Sequence, residues 1–92
     1  MNLADSRLVA RADVHVRAFD GELVILDLAR GDYFGVNEVG ARLWAGLASG
    51  QTTREVALDL RGVYDVEEGK LLEDLLALTN ELLARGLVRV KT

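Results

Sequence analysis

The chain contains no cysteine, no proline and a single histidine in 92 residues. Without cysteine there is no disulfide framework, no thiolate metal site and no cysteine nucleophile, and His15 alone does not make a histidine metal cluster. Metal ligation, catalytic residues and a bound cofactor are therefore not expected of this chain acting alone. Basic residues are also in short supply: 11 Lys and Arg stand against 15 Asp and Glu, a net charge of −4, which argues against nucleic-acid backbone binding as the main activity. No apolar run approaches membrane-spanning length. The opening Met1-Asn2-Leu3-Ala4-Asp5-Ser6-Arg7 places charges where a signal peptide carries its apolar segment, so a cytoplasmic protein without a membrane partner is expected. What remains is half apolar and 28% charged, the composition of one compact folded domain.

The first twelve residues mix charged and small side chains without a clear period, and are expected to form a flexible or loosely docked arm (1–12) ahead of a single domain (13–92). From Asp13 onward Val14, Val16 and Ala18 alternate with His15 and Arg17, the period of a strand with one covered face. Asp20-Gly21 marks a tight hairpin turn. Glu22 to Leu28 reads as a second strand, apolar on both parities at Leu23-Val24-Ile25-Leu26, hence central and partly covered on its outer face. Tyr33 to Val36 follows as a third strand, with Gly35 inside it as a sign of a bulge or of a close backbone approach.

The period then becomes helical. Val39, Leu43 and Leu47 recur behind Asn37, a favoured N-cap, and Thr52-x-x-Glu55 has the spacing of a capping box. Asp65-x-x-Glu68 repeats that spacing before the longest helix, expected over Val66 to Arg85, with Gly86 at its end and Leu87 to Val90 as a short strand or docked tail. Three antiparallel strands followed by three helices make an α+β domain like a winged helix-turn-helix.

Few residues carry chemistry. The acids Glu67, Glu68, Glu73 and Asp74 read as a solvated helix face, because neighbours on a helix diverge by about 100°. His15 with Asp13 lacks a nucleophile to orient. The long helix is more informative: Leu71, Leu75, Leu78 and Leu82 form one stripe and Leu72, Leu76 and Leu83 a second, with Thr79 between. Together they span roughly 160°, more than a small domain needs to bury, so part of this face is available to a partner. Its polar side holds five acids against two bases, which opposes its use as a DNA-reading helix. The third strand ends the meander with an unpaired edge that an extended peptide can join, unless the carboxy-terminal segment or the arm fills it.

The ordered set Leu26-Asp27, Gly31-x-Tyr33-Phe34-x-x-Asn37, Gly40-Ala41-x-x-Trp44-x-x-Leu47, Gly50-x-Thr52, Glu55-x-x-x-x-Leu60, Tyr64, Asp74-Leu75-x-x-Leu78 and Leu82-x-x-x-Gly86-Leu87-Val88 resembles the PqqD-like family. Its members are the precursor-peptide recognition elements of ribosomally made, modified peptides. The Gly-x-Tyr-Phe turn and the tryptophan are most similar to the stand-alone proteins of lasso-peptide biosynthesis.

The resemblance implies a non-catalytic domain that binds a precursor leader peptide as an added strand and presents it to a cysteine protease partner. Carried onto this chain, the backbone of Asp32, Tyr33, Phe34, Gly35 and Val36 pairs with the leader. Phe34 and Val36 with Leu72, Leu75, Leu76 and Thr79 line the groove, Leu78 and Leu82 being core-like. The alternatives are a pyrroloquinoline quinone-type peptide chaperone for a radical enzyme and a winged-helix DNA-binding or dimerisation module.

Overall fold

The computed structural model describes residues 2–64 and 67–91. A 3-10 turn at Leu3–Asp5 leads into β1 (Leu8–Ala10), then β2 (Val14–Phe19), β3 (Glu22–Asp27) and β4 (Asp32–Val36). The helices α1 (Glu38–Ala48), α2 (Thr53–Leu60) and α3 (Glu68–Ala84) follow, and β5 (Val88–Val90) closes the chain. β2, β3 and β4 form an antiparallel meander in that order, so the expected α+β architecture holds. No described helix is long and apolar enough to cross a membrane.

The turns and helix ends follow from local chemistry. Asp20 and Gly21 both have positive φ, 46° and 83°, the two left-handed residues that make a two-residue turn match the twist of its strands. The Asn37 side chain accepts the Gly40 amide at 3.0 Å and starts α1. Thr52 and Glu55 exchange side-chain to backbone hydrogen bonds, 3.1 and 2.8 Å, as a complete capping box for α2. Asp65 and Val66, which the sequence assigns to the start of the long helix, lie outside the described residues. The helix there begins at Glu68, with Glu67 at its N-cap and no side-chain cap hydrogen bond.

Two expectations need correction. The first twelve residues are not an arm: β1 pairs antiparallel with β5, Leu8 opposite Val90 and Ala10 opposite Val88. Leu8 is only 2% exposed and belongs to the core. Three residues are too few to show a period, and their partner lies at the other end of the chain, so local pattern carries no sign of the pairing. The expected short last strand is real but serves this second sheet. The segment is further held by Arg54 on Asp5 at 2.8 Å and by Arg7, whose guanidinium donates to Glu55 and to the Gly50 carbonyl.

The other correction concerns β2, expected to have one covered face. It contacts β3, but only its first residue, Val14, packs against the core; on the same face Val16 is 42% exposed and Ala18 is exposed as well. Alternation reports which residues share a face, not whether anything packs there. The same holds for the outer face of β3, where Val24 and Leu26 are half-buried by neighbouring strands alone.

The core lies between the meander and the helices, centred on Ile25, Leu43, Leu75 and Leu82. Between α2 and α3 it contains one polar pair: Thr79 Oγ1 donates to the Leu75 carbonyl at 2.8 Å, which leaves Thr53 Oγ1 to donate to Thr79 Oγ1 at 2.9 Å. Both side chains are fully enclosed. The two sheets are tied by Asp27, whose carboxylate, 3% exposed, takes Arg11 at 2.6 Å and the Arg30 amide at 3.2 Å. Burial pushes the Asp27 carboxyl upward, but the Arg30 amide and the Arg11 guanidinium outweigh it and hold it below its ordinary value.

Two outcomes test this arrangement. Leu8→Ala is expected to cost about 2–4 kcal/mol, a fall in Tm of roughly 10–25 °C, where an arm residue would be neutral. Because the Asp27 carboxyl is depressed in the folded state, its stabilisation is complete above about pH 4, the ordinary carboxylate range, and is lost as pH falls through the folded value. Asp27→Asn should therefore lower Tm near neutrality and flatten the fall of Tm as pH drops below about 4.

Candidate functional site

The free edge of β4 borders a cleft of about 410 Å³ between that strand and α3. Phe34 and Val36 point toward the helices, and Leu71, Leu75 and Leu78 meet them from α3 at spacings of four and three residues, one helix face. Val39 and Gly40 of α1 complete the floor. Gly40 is required by close approach, since a Cβ there would lie 2.7 Å from Val36 Cβ and 3.0 Å from Leu78 Cδ2. Its absence lets α1 pass tightly under β4 and sets the depth of the cleft.

Charged and polar groups frame this apolar floor. Arg85 lies over the Phe34 ring, 4.2 Å from its centroid, and is fixed by Glu81 at 3.0 Å. Elsewhere on the rim the Tyr64 hydroxyl donates to Glu38 at 3.1 Å, and Asp74 holds Lys70 at 3.0 Å, a hydrogen bond that raises the Lys70 pKa. The arrangement suits an elongated ligand with apolar side chains on one parity.

The hairpin geometry settles which backbone groups face the edge. In a two-residue turn the closing residues, Phe19 and Glu22, exchange hydrogen bonds, so Glu22, Val24 and Leu26 direct their amides toward β2 and Leu23, Ile25 and Asp27 toward β4. The Leu28 amide on the Asp13 carbonyl and the Gly31 amide on the Asp27 carbonyl obey the same alternation. On β4, Asp32, Phe34 and Val36 are therefore bonded to β3, and the N–H and C=O of Tyr33 and Gly35 point outward. Among the described residues β4 pairs with β3 alone, and the two end segments, β1 and β5, pair with each other.

The sequence-predicted site residues divide accordingly. Phe34, Val36 and Leu75 line the cleft together with the Gly35 backbone. Asp32 begins the strand with its amide turned inward, and Tyr33 stands on the opposite face of the sheet, 73% exposed. Leu72, Leu76 and Thr79 are not in the cleft. Thr79 is 0% exposed and locked to Thr53, which turns its stripe toward α2. The helix residues that line the cleft are Leu71, Leu75 and Leu78, while Leu82 lies in the core as expected. Hydrophobicity cannot separate two equal stripes; the usable signal is that a threonine within one of them needs a buried partner, which only another helix supplies.

No group of acidic, histidine or cysteine side chains among the described residues is placed to hold a metal ion. Asp13, a possible partner for His15, is engaged by Arg11 at 3.2 Å.

Comparison with known proteins agrees with the geometry. The fold matches a solved structure of TbiB1 in complex with the TbiA(beta) leader peptide, with a TM-score of 0.82 and 27% identity over 91% of this chain and 98% of that one. It matches equally a lasso peptide synthetase B1 complexed with a leader peptide, with a TM-score of 0.83 and 27% identity over 91% and 99% of the two chains. No curated protein matches the sequence. The family described as coenzyme PQQ synthesis protein D matches residues 22–88, from the central strand to the last one. With that span covering most of the domain, the chain belongs to the PqqD family.

Proposed function

We propose that this protein binds the leader of a lasso-type precursor peptide as a strand added to β4, without catalysing a reaction, and presents it to a cysteine protease. The observation that carries the reading is that the unpaired edge of β4 opens directly onto an apolar cleft. Backbone hydrogen bonds from Tyr33 and Gly35 supply affinity, and peptide side chains of one parity enter the cleft against Val36, Leu75 and Leu78. Both solved relatives hold a leader peptide, and both are covered almost end to end. That favours the lasso reading over a chaperone of pyrroloquinoline quinone formation.

A division of labour with a protease is physically economical. This chain has no cysteine, so the nucleophile comes from the partner. Holding the leader beside that partner raises the local concentration of the cleavage site without demanding affinity from the protease itself. Because the contacts are apolar and backbone, binding should depend only weakly on salt. The acidic chain and the acids along α3 oppose the nucleic-acid alternative. We place the protein in the cytoplasm, where precursor peptides are made.

A proline scan tests the edge, read by titration with a synthetic leader of the precursor and by thermal melts. Tyr33→Pro and Gly35→Pro remove outward amides and should leave the fold largely intact while abolishing binding. Phe34→Pro removes an inward amide and should unfold the sheet. Well-folded Tyr33→Pro and Gly35→Pro variants that bind as tightly as the parent would exclude strand addition. A second pair tests the cleft. Leu78→Ala should weaken binding about 5- to 30-fold, whereas Leu76→Ala, on the stripe facing α2, should change it less than about twofold. The reverse ranking would place the peptide groove on the Leu72 and Leu76 stripe instead.

A further inference from the structure

Gly35 sits in the middle of β4, where glycine weakens a strand. Its φ is not positive, so the backbone does not require it. A Cβ built on it meets nothing within 4 Å, so packing within the chain does not require it either. The vacancy therefore has no internal cause. Its position gives it an external one. Gly35 faces the outer side of the sheet, opposite Val24 and two residues from the exposed Tyr33, and its own N–H and C=O point to the free edge. The result is a bare stretch of backbone bordered by Val24 on the neighbouring strand and by Tyr33 two residues earlier, and open to whatever strand joins β4.

We infer that this notch is a second leader-binding subsite, on the face of the sheet opposite the cleft, and that it takes an aromatic side chain from the leader residue paired with Gly35. The inference rests on strand addition at β4. A strand joined there lies about 4.8 Å away, and its residue opposite Gly35 directs its side chain to the outer face. With no side chain at 35 to meet it, a short residue would leave the Val24 surface bare. A long flat one can lie across the glycine and reach Val24 on the next strand, with Tyr33 at the diagonal position that aromatic groups contact. Aromatic rings are favoured over long aliphatic chains because they cover this area with few rotatable bonds. The cleft and the notch thus read alternate residues of the same peptide. A leader satisfying only one of them gains only part of the available contact.

The test uses short random peptides selected by display on the full-length protein, with the tightest binder synthesised as the probe. Methyl resonances of Val24, on the outer face, and of Val36 and Leu78, in the cleft, are followed during titration. The ring should shift the Val24 methyls upfield, and replacing the responsible aromatic residue by alanine should remove that shift and weaken binding about three- to tenfold, the range of a cross-strand aromatic contact. Gly35→Val keeps the outward amide and suits a strand, so it should fold at least as well as the parent; it should lose the Val24 shift and the preference for that aromatic residue by filling the notch. Gly35→Ala should fall between them. Cleft methyls that respond while Val24 does not, or a Gly35→Val protein that selects the same peptides with the same affinity, overturns the subsite and leaves strand addition standing. No response in either set overturns strand addition and the subsite together. A concentration-dependent dimer in which Tyr33 of one copy covers Gly35 of the other, lost in Tyr33→Ala, assigns the notch to a second copy and overturns the proposal as well.

Discussion

The pairing of the two ends of the chain is the constraint on which the rest depends. Leu8–Ala10 and Val88–Val90 satisfy one another's backbone groups, seal the core with Leu8 and Val88, and so remove both termini from competition for the edge of β4. Had either segment joined the meander as a fourth strand, the cleft would be occupied by the protein itself. Asp27 makes the same connection from the other side. It draws Arg11, just beyond β1, and the Arg30 amide, in the turn before β4, onto one carboxylate. The meander and the sheet that closes the chain are thereby held in one relation at the start of β4.

Within that frame, α3 serves two neighbours with two faces, and a pair of hydroxyls decides which is which. A leucine stripe tolerates rotation of its helix by one position at small cost, because one leucine replaces another. Thr79 does not: turned toward the cleft, it would leave Thr53 enclosed with an unsatisfied hydroxyl, at a cost of about 1–3 kcal/mol. The pair therefore fixes the azimuth of α3, and with it the identity of the leucines that line the cleft. Gly40 does for α1 what the threonines do for α3, by admitting the helix to contact distance with Val36 and Leu78.

What the sequence made legible follows from the range of the forces involved. The Asp20-Gly21 hairpin, the Asn37 cap, the Thr52–Glu55 capping box and the strand-to-helix order are all written within a few residues, because the atoms that satisfy one another are that close along the chain. The unpaired edge of β4 was legible as a possibility from the meander order alone. That the edge stays open was not, since it turned on a contact between opposite ends of the chain. The groove residues on the strand, Phe34 and Val36, were accessible from parity; those on the helix were not, because parity on a helix has no analogue that separates adjacent stripes of equal character. The outer face misled for a related reason. Continuous apolar character at Leu23 to Leu26 predicted cover on both sides, and the described residues provide it on only one.

An edge open to an added peptide strand is also open to another copy, so the proposed binding and solubility place opposite demands on the same five residues. β4 meets them by being short, by presenting only the outward groups of Tyr33 and Gly35, and by belonging to a chain of net charge −4 that repels its own kind. Gly35 contributes to both sides. It lowers the propensity of the isolated edge to template a second strand, and it leaves the outer face shallow until a side chain from outside fills it. A strand with a bulkier residue there would carry its own cover on that face, and would pair as readily with an arbitrary apolar segment as with a chosen one. If a peptide adds to this edge as proposed, one that supplies the missing surface gains contact that an arbitrary segment does not.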